Sequence, residues 1–164
     1  MTGAYEQINN FLVSVFNEVL KTEEASLKTT KTHDLSIREM HVIEAVCNAE
    51  KSQSNTSSSI ANSQRITAGT LTTTIRTLEK KGYVLRKQDS RDKRVVRIFP
   101  TEKGKTANEI HSSFHHKMVN SIMSAMNPEE LSMFVKGLDT IQKFFESKTT
   151  KPIKREIYGS KNNN

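Results

Sequence analysis

The stretch from Thr56 to Pro100 constrains this chain most. Thr56 stands where a helix N-cap belongs, ahead of a short segment holding Ile60 and Ala61. Thr67 caps a longer segment in which Leu71, Ile75 and Leu78 recur at helical spacing, and Gly82 ends it. Two runs rich in Val, Ile, Tyr and Phe follow, 83–87 and 94–100, joined by the polar loop 88–93. A short helix, a tight turn, a longer helix and a hairpin in this order predict a helix-turn-helix with a β-wing.

Helices flank this unit on both sides. Ile8, Phe11, Leu12, Val15, Phe16, Val19 and Leu20 mark one face of a long helix that continues to about Leu27. Ser36-Ile37-Arg38-Glu39 forms a capping box before Ile37, Met40, Ile43 and Val46, a second helix ending near Ala49. Beyond the hairpin, Thr101 caps a long helix with an inner stripe of Ala107, Ile110, His111, Phe114, Met118, Ile122 and Met126. Asn127-Pro128-Glu129-Glu130 opens the last helix, which shows Leu131, Phe134, Val135, Leu138, Ile141 and Phe145 on one face. The fold class is therefore mainly α with a small β-wing. The winged helix-turn-helix spans about 36–100, helical dimerisation arms span about 5–27 and 101–147, and 148–164 is a basic tail expected to be mobile.

The 164 residues carry a net charge of +7, so the surface is expected to attract a polyanion. Nucleic acid leads, ahead of an anionic membrane or an acidic protein. No run approaches the roughly 20 apolar residues that span a bilayer, and a cytoplasmic protein is expected. Cys47 is the single cysteine, which excludes an intrachain disulfide and a Cys-rich zinc finger; it reads as a small buried residue. A Gly-rich phosphate loop, a nucleophile elbow, His-Glu-x-x-His and paired cysteines are all absent, so an enzyme is not expected.

The helix starting at Thr67 directs Ala68, Gly69, Thr70, Thr72, Thr73 and Arg76 outward. Gly69 and Ala68 permit close backbone approach, threonines bond phosphates or base edges and touch thymine methyls, and Arg76 reaches phosphate or guanine. Threonine is a mediocre helix former, so its abundance here points to a use beyond solubility. Arg86, Lys87, Arg91, Lys93, Arg94 and Arg97 crowd the hairpin, whose tip suits entry into a minor groove, although the charge run alone fits a solvated surface equally well.

Asp89-x-Arg91-Asp92-x-Arg94, continued by Val95 to Gly104, resembles the wing of the MarR family of transcription regulators, and the helix order is similar from about residue 5 to 147. The resemblance implies a homodimer reading an inverted repeat of double-stranded DNA. It gives Arg91 the minor-groove role and makes Arg94 the partner of Asp89. Asp34 to His41, Gly69 to Thr73, Leu78 to Tyr83 and His111 to Met118 are similar to the family's repressors of fatty-acid synthesis. That likeness implies a repressor strengthened by long-chain acyl groups on acyl carrier protein, itself an acidic partner.

An apolar slot for such a chain would draw on Phe16, Leu20, Met40, His41, His111, Phe114 and Met118. Plain core or a dimer interface is the other reading of the same stripes. His111 and His115, four apart on one helical face, can meet one metal ion. Together with Glu24 and His41 they fall where the family's zinc-uptake repressors keep a zinc site.

Overall fold

The computed structural model describes residues 2–149, with side chains described for 3–147; of the tail expected at 148–164, residues 148–149 continue the last helix and 150–164 lie outside the described residues. The elements are α1 (Thr2–Lys28), α2 (Ile37–Lys51), α3 (Ser57–Ser63), α4 (Ala68–Lys80), β1 (Val84–Gln88), β2 (Val96–Pro100), α5 (Glu102–Ser124) and α6 (Pro128–Thr149). The chain divides into two compact units, with the boundary inside α5 after Lys117.

Caps set most boundaries in the first unit. At α2 the Ser36 hydroxyl accepts from Glu39 N while the Glu39 carboxylate accepts from Ser36 N at 2.8 Å, a complete capping box. Thr56 and Thr67 accept from Ser59 N and Thr70 N. Thr101 accepts from Gly104 N at 3.1 Å, and its own hydroxyl donates to the carbonyls of Gly82 and Tyr83. This one side chain therefore starts α5 and ties it to the end of α4.

The core lies where α2, α3, α4 and the sheet converge, with Met40, Ile43, Val46, Ile60, Leu71, Ile75, Leu78, Tyr83 and Ile98 fully buried. Cys47 joins it, and burial pushes its thiol up to about 11, which makes it a packing residue and not a reactive one. Gly104 sits against the backbone: a methyl group there would lie 2.2 Å from the Tyr83 carbonyl oxygen. At the opposite side of this junction the Tyr83 hydroxyl donates to Asp34 at 2.6 Å, and the Lys103 ammonium lies 4.0 Å from the centre of the Tyr83 ring.

β1 and β2 pair antiparallel with Val84 opposite Pro100 and Gln88 opposite Val96. The second strand begins at Val96 instead of 94, because Asp92 and Val95 close a turn that takes Arg94 out of the ladder. A bridge between Thr56 and Arg97 adds the α2–α3 connection to the sheet, and buried Asn55 exchanges bonds with the backbone of Ile98 on both sides.

Along α1 the expected stripe forms, yet Ile8, Phe11, Val15, Phe16 and Leu20 are exposed, and burial begins at Glu23 and Leu27. On α5 Ala107 and His111 are buried, whereas Ile122, expected to face inward, is exposed. In the second unit, the Asn127 side chain accepts from Glu129 N and Glu130 N at the start of α6. Leu131, Phe134 and Ile141 of α6 are half-buried, while Val135, Leu138 and Phe145 are exposed. No described helix is long and apolar enough to cross a membrane.

Candidate nucleic-acid interface

Three buried residues, Leu71, Ile75 and Leu78, fix the roll of α4 against the core; between them Thr72, Thr73 and Arg76 are exposed and Thr74 and Thr77 half-buried. Thr67, Ala68, Gly69, Thr72, Thr73 and Arg76 are exposed, and Thr70 is half-buried. The hydroxyls of Thr72 and Thr73 donate back to the carbonyls of Ala68 and Gly69 at 2.8 and 3.2 Å. Their donors are thus engaged within the helix, leaving an acceptor lone pair and a methyl group outward. Such a surface suits base amino groups and thymine methyls.

Gly69 has no packing reason to be glycine. A methyl group there would meet only the Thr67 hydroxyl, at 3.9 Å, which is ordinary contact. Glycine inside a helix costs about 1 kcal/mol relative to alanine. That cost is explained if another molecule approaches the backbone at this point. Gly69→Ala is therefore expected to raise the unfolding midpoint slightly while weakening DNA binding; equal or tighter binding in a shift assay would remove close backbone approach from the account.

The wing is held at its base by a different arginine from the one expected. Asp89 pairs with Arg97, and Arg94 pairs with Asp92 through two bonds of 3.0 Å. The ladder explains the correction. Gln88 faces Val96, so Asp89 stands opposite Val95, and Arg97 is its diagonal neighbour on the same face. Asp89 also accepts from the backbone of Arg91 and Asp92 at 2.8 and 3.1 Å. The Arg97 guanidinium, with these two amides, holds the Asp89 carboxyl at about 2, well below the usual carboxylate range. Arg97 further donates to the Gln53 carbonyl and the Asn55 side chain, at 3.2 and 3.1 Å. Asp89 thereby shapes the tip, and Arg97 anchors that shape to the α2–α3 connection.

Of the wing cations, Arg86 lies 3.3 Å from Glu79 and Lys87 lies over the Phe99 ring. Arg91 and Lys93 are exposed at the tip. Arg91→Ala is expected to lower DNA affinity by about 1 kcal/mol per half-site while leaving the fold intact. Unchanged affinity at physiological salt would take Arg91 out of the interface.

The residues considered for an acyl slot differ in exposure, and His111 is buried among them while His41 is half-buried. Met40 is sealed in the core, Phe16 and Leu20 are exposed, and Phe114 and Met118 are half-buried. The expected histidine cluster forms in part: His111 and His115 meet, Glu23 stands where Glu24 was expected, and His41 is not part of the group. Glu23, 4% exposed, faces the histidines: its carboxylate lies 3.2 Å from His115 Nε2 and 3.7 Å from His41 Nε2. Glu24 instead borders a shallow cleft with Leu27, His33 and Leu35. His111 Nε2 is 3.0 Å from His115 Nε2, and burial, followed by the neighbouring His115 and His41, lowers the His111 pKa to about 4. His111 is therefore neutral at physiological pH.

This fold and surface define a winged helix-turn-helix protein. Residues 36–96 match the MarR family. The HTH-type transcriptional regulator SarZ of Staphylococcus haemolyticus is 39% identical over 74 residues, 45% of this chain; the chain spans about half, 48%, of the length of that relative. Streptococcus pneumoniae FabT, solved in complex with DNA, superposes with a TM-score of 0.81 at 37% identity, covering 87% of this chain and 98% of that one. S. aureus MepR, also solved with DNA, shares the fold with a TM-score of 0.69 at 20% identity, covering 84% of this chain and 95% of that one. The chain belongs to the MarR family of transcription regulators and is not an enzyme.

Proposed function

We propose that this regulator is a cytoplasmic homodimeric repressor of fatty-acid biosynthesis genes whose grip on an inverted repeat is strengthened by long-chain acyl-acyl carrier protein. The observation that carries the reading is the likeness to FabT, which extends over 87% of the chain and is not confined to the DNA-binding unit. Dimerisation is supported by the exposed apolar faces of α1 and α6, including Phe11, Phe16, Leu138 and Phe145. A net charge of +7 suits both DNA and an acidic carrier protein. The acyl group raises affinity only by binding the DNA-competent spacing of the two recognition helices better than the alternative spacing.

A second reading, zinc-responsive repression, is favoured by one observation. Donor atoms of Glu23, His111 and His115 lie within 4.8 Å of one another. The 3.0 and 3.2 Å separations within this trio come close to the edge of about 3.3 Å that a tetrahedron with zinc bonds of about 2.0 Å requires. The neutral form of His111 is also the form that ligates. Zinc bound there would join α1 and α5 and bias their packing. A DNA-shift assay on fatty-acid-synthesis promoters separates the two readings, with acyl-acyl carrier protein and zinc added in separate arms. Tighter binding with the acylated carrier alone is the expected result; a response to zinc abolished by chelator and by His115→Ala would establish the second reading instead.

A further inference from the structure

We propose that Arg65, in the turn between α3 and α4, is a phosphate-contacting residue of the DNA interface. The proposal rests on the DNA-binding role of this family and adds a residue outside both the recognition helix and the wing.

Three helices end in the same way. In α2, α3 and α4 the chain leaves through one residue of positive φ, Gln53 at 55°, Arg65 at 51° and Gly82 at 77°. At α3 the bonds are Arg65 N to the Asn62 carbonyl and Ile66 N to the Ala61 carbonyl, both 3.1 Å, the paired pattern of a Schellman cap. Glycine is the natural occupant of the left-handed position, as at Gly82, because a Cβ there crowds the backbone. Arginine at this place is disfavoured by the backbone, and nothing in the core recovers the loss, since its side chain is exposed. No carboxylate within salt-bridge reach pairs with it among the described residues, whereas Lys81, Arg86, Arg94 and Arg97 each have one.

Its place in the fold says what the charge meets. In a helix-turn-helix the first helix crosses the sugar-phosphate backbone, and the N-terminal residues of the second reach base edges. The turn Gln64 to Thr67 joins those two positions, so it passes over the rim of the groove, where phosphates stand. Arg65 is two residues before the N-cap Thr67. A guanidinium there forms a charge-assisted contact with a phosphate oxygen and fixes the entry of α4 without reading sequence.

The test uses the full chain and a duplex that the wild-type protein selects from a random pool, with Arg65→Gly, Arg65→Asn and Arg65→Lys. Glycine and asparagine both tolerate the left-handed backbone and remove the charge; lysine keeps the charge. The expected result is an unfolding midpoint for Arg65→Gly equal to or above wild type, with roughly fivefold weaker binding at low salt. The slope of log Kd against log salt should fall by about 0.9 for each protomer engaged. Asparagine should behave like glycine in binding, and lysine should retain the wild-type slope. Wild-type affinity and slope in Arg65→Gly and Arg65→Asn would overturn the proposal. Failure of the wild-type chain to select any duplex would instead overturn the DNA-binding reading itself.

Discussion

Replacing Gly104 by alanine is expected to destabilise the protein by about 3 kcal/mol, the upper end of ordinary overpacking. The added methyl would stand 2.2 Å from the Tyr83 carbonyl oxygen, and that oxygen cannot simply move aside. It accepts from Thr101 N at 3.0 Å and from the Thr101 hydroxyl at 3.1 Å. The same junction carries the Lys103 contact to the Lys81 carbonyl and the Tyr83–Asp34 bond. Relieving the clash therefore pulls α5 away from the point where α4 passes into β1. Gly137, where nothing lies within 4 Å, is the control: Gly137→Ala is expected to be neutral or to stabilise by up to about 1 kcal/mol. Denaturant unfolding of both variants decides the matter, and a Gly104→Ala midpoint close to wild type would contradict the packing described at this junction.

Arg97→Met is expected to weaken DNA binding by tenfold or more, a ratio corresponding to about 1.4 kcal/mol, although Arg97 is not placed on the DNA. Its guanidinium satisfies Asp89, the Gln53 carbonyl and the Asn55 side chain together, and methionine leaves all three without that donor. Asp89 organises the tip through the amides of Arg91 and Asp92, so the loss of Arg97 frees the segment that presents Arg91. Arg94→Met removes only an exposed pair with Asp92, whose geometry water can replace, and its effect on stability should be within about 0.5 kcal/mol. If Arg94→Met disturbs the fold of the wing more than Arg97→Met does, the brace has been assigned to the wrong arginine.

That exchange of arginines shows where sequence reading stops. The hairpin, its caps and its charge were legible because alternation and turn residues act locally, and the elements α2 to α4 begin at the threonines and serine that cap them. Which arginine reaches Asp89 depends on register, and the paired turn at Asp92 and Val95 shortens the second strand and shifts the partner to Arg97. Asn55 and Arg97 escaped notice as a brace because their partners lie 42 residues apart in sequence. Glu23 was within reach. It lies three residues after Leu20 and four before Leu27, on the stripe that turns α1 toward the core, whereas Glu24 is a further 100° around the helix. The histidines could be grouped from spacing alone, but the identity of the buried acid follows from the rotation of α1. Exposure of Phe16, Leu20 and Ile122 was likewise beyond a pattern that marks a face as apolar without naming what covers it.

α4 and the wing together are proposed to read double-stranded DNA as an inverted repeat. The decisive measurement is footprinting of a duplex that this chain selects from a random pool. Two protected half-sites are expected, with centres about 34 Å apart, one turn of the double helix, related by inversion, with protection of the flanking minor grooves lost in Arg91→Ala. Selection that enriches no inverted repeat at physiological salt, or a footprint unchanged by Arg91→Ala and Gly69→Ala together, would contradict it.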